Sequence, residues 1–302
     1  MRAEPQKVRV EVEGRTLTLT NLDKVLYPEA GFTKGQVIDY YRRIAPVLLP
    51  HIAGRPLTLK RYPDGVHRAY FYEKNAPSHR PSWVPTARVA SPGSTKPREM
   101  VEYVVAGDLP TLIWAANLAD LEIHTPMWRL PNIGVPDLLV FDLDPGAPAN
   151  LADCCRVALL LRPLLEQVGL RPFAKTSGGK GLQLYAPLSG MTSDKASDLA
   201  RALAGHLEQA DPGLVVSRMT RTLRPGKVFI DWSQNNAAKT TVAPYSLRAT
   251  SRPVVSTPVT WDEVADCRRP DDLIFTSDAV LDRVARHGDL LAPLVTPDTE
   301  PA

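Results

Sequence analysis

Few folds accommodate a strand that is apolar for several residues and then presents two carboxylates on one face. LLVFDLDPG, at 138–146, reads as such a strand, closed by a Pro-Gly break. Side chains on a strand alternate between faces, so Asp142 and Asp144 project together while Phe141 and Leu143 pack on the other side. Two carboxylates held side by side repel unless a cation is shared between them, and magnesium or manganese prefers such oxygen ligands. A second apolar strand, VFIDWSQ at 228–234, carries Asp231 among Phe229, Ile230 and Trp232. A carboxylate in that setting needs a compensating partner. With the two strands side by side, Asp142, Asp144 and Asp231 make a site for two metal ions, on the order of 3.5–4 Å apart. Each string alone has a plainer reading: a strand running into a turn for the first, a structural ion-pair member for Asp231.

A phosphate loop strengthens the metal reading. TSGGKG (176–181) lies between two apolar strands, RPFAKTS and LQLYAPL. Its glycines allow backbone N–H groups close to an anion, and Ser177 and Lys180 add a hydroxyl and a cation. It is not a Walker loop, because Gly181 follows the lysine and no helix follows. A glycine-rich hairpin is the alternative. Arg218, Arg221, Arg224 and Lys227 precede the Asp231 strand, and Lys239 and Arg248 follow it. Cations flanking metal-binding carboxylates suit a triphosphate, although a solvated basic edge has the same composition.

The remaining segments imply an α+β (mixed α/β) fold with a central mixed sheet and flanking helices. Strands are expected at VRVEVEG, TLTLT, RPLTLKRYP, RAYFYEKN and EYVVAG, from their alternation. Thr33 and Gln36 have capping-box spacing ahead of a helix that ends before Pro50. DLPTLIWAANLADLEIH reads as a helix running into a strand. Asn150 caps a helix ending near Gly169, with a kink expected at Pro163. Ser193 caps another to about Gln209, and amphipathic helices occupy 262–288. Pro77–Pro97 reads as irregular surface. One domain is expected over 1–290, with a lobe at 1–130 and a core at 131–290, then a frayed tail at 291–302.

The net charge of +3 says little, but its distribution is uneven. Residues 1–80 carry 14 Lys/Arg against 8 Asp/Glu, whereas residues 260–302 carry 4 against 10. That points to one face for polyanions. Three cysteines, two of them adjacent, build no disulfide framework and lack metal-ligand spacing. No apolar run reaches a membrane span, and MRAEPQKVRVEVEG lacks a signal core. The expectation is a cytoplasmic protein with no membrane partner.

LLVFDLDPG, TSGGKG and VFIDWSQN, in that order, resemble motifs I, II and III of the archaeo-eukaryotic primase superfamily. LTNLDKVLYP, FYEKN, LEIHTP, DWSQN and KTTVAPYSLR are similar to a narrower group, the polymerase domain of bacterial DNA ligase D and its stand-alone relatives. The likeness runs from Leu19 to Arg248. It implies a primase-like fold and a template-dependent nucleotidyltransferase that fills gaps or extends ends at DNA breaks. It further implies manganese (or magnesium), a preference for ribonucleotides, nucleoid association during repair, and Ku and a DNA ligase as candidate partners. By position, the three aspartates match its metal ligands. Phe71 and Tyr72 match an aromatic pair that stacks on a base. Lys60, His124, Ser177, Lys180, Arg224, Gln234 and Arg248 match residues around the incoming nucleotide, NTP or dNTP. Asn21, Lys24 and Lys34 match a pocket for a downstream 5′-phosphate, where a helix N-terminus favours anions.

Three departures stand out. Gln183 occupies the place where the second motif of the family usually has His, and it cannot carry charge. Tyr72 replaces a phenylalanine. The stretch from Trp128 to Val140 is short and the Ser91–Pro97 segment long for the family. Three other readings remain open: a stand-alone polymerase or primase for short-gap excision repair, a non-catalytic DNA-end-binding module, and template-independent transfer.

Overall fold

The computed structural model describes residues 7–90 and 100–295. It is a mixed α+β fold, with six α-helices and several sheets among the described residues. The largest sheet has six strands in the order Val215–Val216, Val228–Asp231, Leu138–Pro145, Leu182–Pro187, Phe173–Thr176 and Pro258–Val259. Neighbours are antiparallel except the first pair, which is parallel. One face is apolar: Leu139, Phe141, Leu143, Leu182, Leu184, Val228 and Ile230 join one core cluster under helices Leu151–Gln167 and Ser193–Ala210. Burying each such side chain contributes about 1.5–3 kcal/mol.

The helices start where capping chemistry allows. Asn150 Oδ1 accepts from the Ala152 amide at 2.9 Å while Asp153 Oδ2 accepts from the Asn150 amide at 2.9 Å. Cys154, Ala158, Leu161 and Leu165 then fall on one buried stripe. The helix runs on through exposed Pro163 to Gln167. The next helix is capped by Thr192, not Ser193: the Thr192 hydroxyl accepts from the Lys195 amide, and Ser193 is buried.

A second sheet orders Thr241–Val242, Asp120–Thr125, Thr58–Arg61 and Phe71–Glu73. Leu59, Leu121 and Ile123 share a core cluster with helices Lys34–Ile52 and Leu109–Asn117. The first of these helices starts at the Thr33–Gln36 capping box and continues through Pro50 to Ile52. Tyr40 and Tyr41 on it donate to the Tyr245 and Leu121 carbonyls, both at 2.8 Å, tying residues 245–247 to this lobe.

Several expectations need correction. The Pro77–Pro97 stretch is not wholly irregular: Thr86–Ala90 pairs with Met100–Val104, and Ser91–Pro97 lies outside the described residues. Ala243, Tyr245, Leu247, Val255 and Val280 pack in the same core cluster as residues of the 1–130 stretch. Leu291 and Leu294 are buried in a cluster with Met127, Leu138 and Val140. The strand VFIDWSQ stops at Asp231, where a 3₁₀ turn over Trp232–Asn235 takes over. Among the described residues, no helix is long and apolar enough to cross a membrane.

That turn has a structural task. Buried Asn235 accepts from the Val140 amide at 2.9 Å and donates to the Val140 and Trp232 carbonyls at 2.8 and 2.9 Å. Its amide completes the ladder where the Asp231 strand has ended. Asn235→Leu strands those backbone groups and should lower unfolding free energy by about 3 kcal/mol, read from urea denaturation.

Candidate active site

The register of the large sheet builds the site. Asp142 is paired across the strands with Asp231 on one side and Gln183 on the other, and Gln183 with Lys175. A polar row thus crosses the face opposite the helices. Gln183 Nε2 donates to Asp142 Oδ1 at 3.0 Å, while its Oε1 accepts from Lys175 Nζ, which also donates to Ser256 Oγ at 2.6 Å. Lys175 is fully buried, and desolvation pushes its ammonium well below the ordinary lysine range, with the Arg248 charge adding to the effect. Lys175 went unnoticed in the sequence because RPFAKTS reads as a plain strand. Asp231 Oδ1 accepts from the Ser233 amide at 3.0 Å and from its hydroxyl, and Oδ2 accepts from Gln234 Nε2 at 2.8 Å. Gln234, matched to the nucleotide, is here a partner of Asp231.

Two glycines allow the turns around this row to close. A Cβ at Gly181 would lie 2.3 Å from the Leu143 carbonyl oxygen, and one at Gly146 2.2 Å from that of Arg224. The Gly146 clasp carries Arg224 to the Asp144 end of the strand, where its guanidinium sits 3.6 Å from the Phe229 ring centroid. In the 176–181 loop, Ser177 Oγ accepts from the Gly179 and Gly181 amides at 3.2 and 3.1 Å. The Ser177 hydroxyl and two of the amides expected to cradle phosphate therefore brace the loop from within. Lys180 is exposed on it, and Arg248 Nη1 donates to the Ser177 carbonyl at 3.0 Å.

The smaller sheet supplies the facing row. Lys60, Glu122 and His124 point away from its core, as alternation requires. Glu122 is 2% exposed. Its Oε1 accepts from Lys60 Nζ (3.2 Å), Tyr62 Oη (3.3 Å) and the Ala249 amide (3.1 Å), and its Oε2 meets His124 Nε2 at 3.0 Å. Arg248 Nε lies 3.5 Å from the same oxygen. His124 is pushed below the usual imidazole range by burial, its bond to Glu122 opposing. Glu122 sits inside LEIHTP, yet nothing in that string marks it as the meeting point of three strands.

The aromatic pair is split. Phe71 and Tyr72 are exposed on the edge strand but face opposite ways: Arg61 lies 5.0 Å from the Phe71 ring centroid, whereas Lys60 and His124 approach Tyr72 at 5.6 and 6.0 Å. One base cannot contact both from one side. Asn21, Lys24 and Lys34 do come together, because the 21–24 turn lies across the start of helix Lys34–Ile52. The Lys34, Gly35 and Gln36 amides are already taken by Lys24 O, Leu22 O and Thr33 Oγ1. These three helix amides are therefore not free to receive an anion. Lys34 Nζ donates to the Thr20 carbonyl at 2.6 Å, and Lys24 pairs with Asp64 at 2.6 Å.

Electrostatics mark the aspartates as a site short of positive charge. Burial, and then the charge of Asp144, push Asp142 up to about 7. Asp144 rises too, through desolvation and the Asp231 charge, with Arg224 and Arg248 pulling it back. Among the described residues, no group of three or more His, Cys, Asp or Glu side chains forms a ready metal cluster. Crowded carboxylate oxygens with elevated pKa values nevertheless suit hard divalent cations, so the donor set fits such ions.

A mixed α+β fold that lines aspartates of neighbouring strands beside a braced glycine loop and a set of cations defines the primase-polymerase class. The chain belongs to the LigD primase-polymerase domain family, whose model matches residues 33–291. It is 48% identical over 279 residues to the multifunctional non-homologous end joining protein LigD of Mycolicibacterium smegmatis, covering 91% of this chain and 36% of that protein. To the bifunctional non-homologous end joining protein LigD of Bacillus subtilis it is 31% identical, covering 90% and 43%. The chain thus spans less than half the length of these relatives. The polymerase domain from Mycobacterium tuberculosis ligase D, solved in complex with DNA, matches with a TM-score of 0.86 and 46% identity over 92% of this chain and 98% of that one.

If crowding contributes to the elevation of Asp142, Asp144→Asn should let Asp142 ionise at lower pH without added metal. Carboxyl ¹³C shifts of labelled aspartate would follow it. The drop should be partial, because burial is the larger cause.

Proposed function

We propose that this chain is a template-directed nucleotidyltransferase that fills gaps or extends ends at DNA breaks during end joining. The observation that carries the reading is the cross-strand register of Asp231 opposite Asp142, with Asp144 on the same face. In this reading the three aspartates hold two divalent cations, manganese preferred over magnesium, and ribonucleotides are favoured over deoxyribonucleotides. Such cations, held by Asp142, Asp144 and Asp231, would supply activation of a primer 3′-hydroxyl and offset triphosphate charge.

The protein's own groups do the rest. Gln183 fixes one oxygen of Asp142 with a neutral amide, orienting the carboxylate without cancelling its charge. Arg224 and Arg248, whose charges act on Asp144, and exposed Lys180 offset charge developing on the transferred phosphoryl group. Tyr72 and His124 offer the face for the base, and Lys60 lies behind them. Asn21, Lys24 and Lys34 hold the 5′-phosphate on the far side of a gap. Ku and a DNA ligase are the proposed partners, in keeping with the end-joining names of the relatives.

The test is extension of a primer on gapped DNA with manganese, with and without a downstream 5′-phosphate, comparing both sugars. Asp142→Ala should abolish extension and leave affinity for the gapped duplex within about twofold, since no uniform binding is removed. Full extension by that variant would refute the reading. A pH dependence also follows. Burial, and then the charges of Lys24 and Arg61, lower Lys34 to about 8. Its ammonium is present below that pH and lost above it. The preference for a 5′-phosphate over a 5′-hydroxyl end should therefore weaken from pH 7 to pH 9 in binding titrations, and Lys34→Met should flatten that trend.

A further inference from the structure

We propose that Glu122 is a positioning residue that sets nucleotide affinity, by holding Lys60, His124 and Arg248 in one arrangement before a nucleotide arrives. The inference rests on the polymerase reading above and assigns a role to a residue that touches neither metal nor nucleotide.

The geometry is convergent. Lys60, His124 and Arg248 come from three strands, Thr58–Arg61, Asp120–Thr125 and Leu247–Ala249, and all three meet one carboxylate that is 2% exposed. A buried carboxylate needs compensation, but a single good ion pair with its hydrogen bonds would supply it. Three such partners exceed that need, and each keeps a second commitment at the cleft. Lys60 Nζ lies 4.6 and 5.6 Å from the ring centroids of exposed Tyr70 and Tyr72. His124 meets the Tyr72 ring edge-on. Arg248 reaches the carbonyl of Ser177 in the glycine loop with Nη1, while its buried Nε has no hydrogen-bond acceptor. The Ala249 amide bonded to Glu122 pins the strand that carries Arg248.

Glu122 therefore fixes the distance between the base-facing side of the cleft and the loop side. Its negative charge also lets the cations of Lys60 and Arg248 stand close together, with His124 as a hydrogen-bond partner; without it, Lys60 and Arg248 repel and swing apart. The hydrogen bond to His124 and the charges of Arg248 and Lys60 outweigh desolvation and hold the Glu122 carboxyl well below the usual range, so it stays anionic throughout working pH. A nucleotide then meets cations already placed, and the cost of ordering them falls on folding rather than binding.

The experiment measures equilibrium binding of a ribonucleoside triphosphate, with manganese, to the protein on gapped duplex carrying a chain-terminated primer. Glu122→Gln keeps volume and an acceptor for the Ala249 amide but removes charge. Its dissociation constant for nucleotide should rise by about tenfold, the size expected for loss of charge-assisted hydrogen bonds, with duplex affinity unchanged. In steady-state extension KM should rise more than kcat falls. In an Arg248→Met background the same substitution should cost much less than in wild type, because it acts through the cations. Wild-type nucleotide affinity in Glu122→Gln, or effects that simply multiply in the double variant, would overturn the inference. If Glu122→Gln does not fold, Glu122→Asp decides: weakened nucleotide binding is expected, and wild-type affinity overturns the proposal. Failure of the unaltered protein to bind nucleotide would instead bring down the polymerase reading.

Discussion

Everything in this molecule is arranged around two carboxylates set face to face across an antiparallel pair. Asp142 and Asp231 occupy paired positions on adjoining strands, a place where like charges destabilise a sheet. The strands tolerate it because Phe141, Leu143 and Ile230 on the other face are sealed under two helices, which leaves the polar row no freedom to slip. A one-residue shift in register would bury the aspartates among leucines. The hydrophobic face thus holds the charged face in a conformation that the charges would not choose.

Neighbouring groups then fine-tune that repulsion. Gln183 lends Asp142 a neutral donor and is itself held by buried Lys175. The orientation of the Gln183 amide is settled by a donor on one side and an acceptor on the other, with no charge added at that side chain. Gly181 and Gly146 let the loop backbones come close enough to put Arg224 and Arg248 within electrostatic reach of Asp144. The smaller sheet repeats the scheme, with an apolar face on helices and a polar row of Lys60, Glu122 and His124 on the other. Arg248 bridges the two rows.

Much of this was readable in the residues. Asp142 and Asp144 share a face because strand geometry has period two, and the 34–52 helix carries its capping box, and the 151–167 helix its Asn150 cap, in plain view. Reading went astray where tertiary contacts outweigh local preference. Thr192 rather than Ser193 caps its helix, because Ser193 is drawn into the interior. The Thr86–Ala90 strand hides in a Pro- and Ser-rich stretch, because its partner, Met100–Val104, is not next to it in the sequence. Ser177 and Gln234, matched to the nucleotide by position, also make bonds that their strings do not announce, to the loop amides and to Asp231. Phe71 and Tyr72, adjacent in the chain, are separated by the same alternation that unites the aspartates.

The order of residues settled what is periodic and local: which side chains share a strand face, where helices may start, and which strings match the primase-polymerase family. It could not settle which strands lie beside one another, because pairing is chosen by the fit of apolar faces belonging to segments far apart in the chain. Asp231 became a neighbour of Asp142 only through that fit, although 89 positions separate them. Glu122 and Lys175 acquired their partners in the same way. Such charges find their counterparts across space, where no window along the chain can reach.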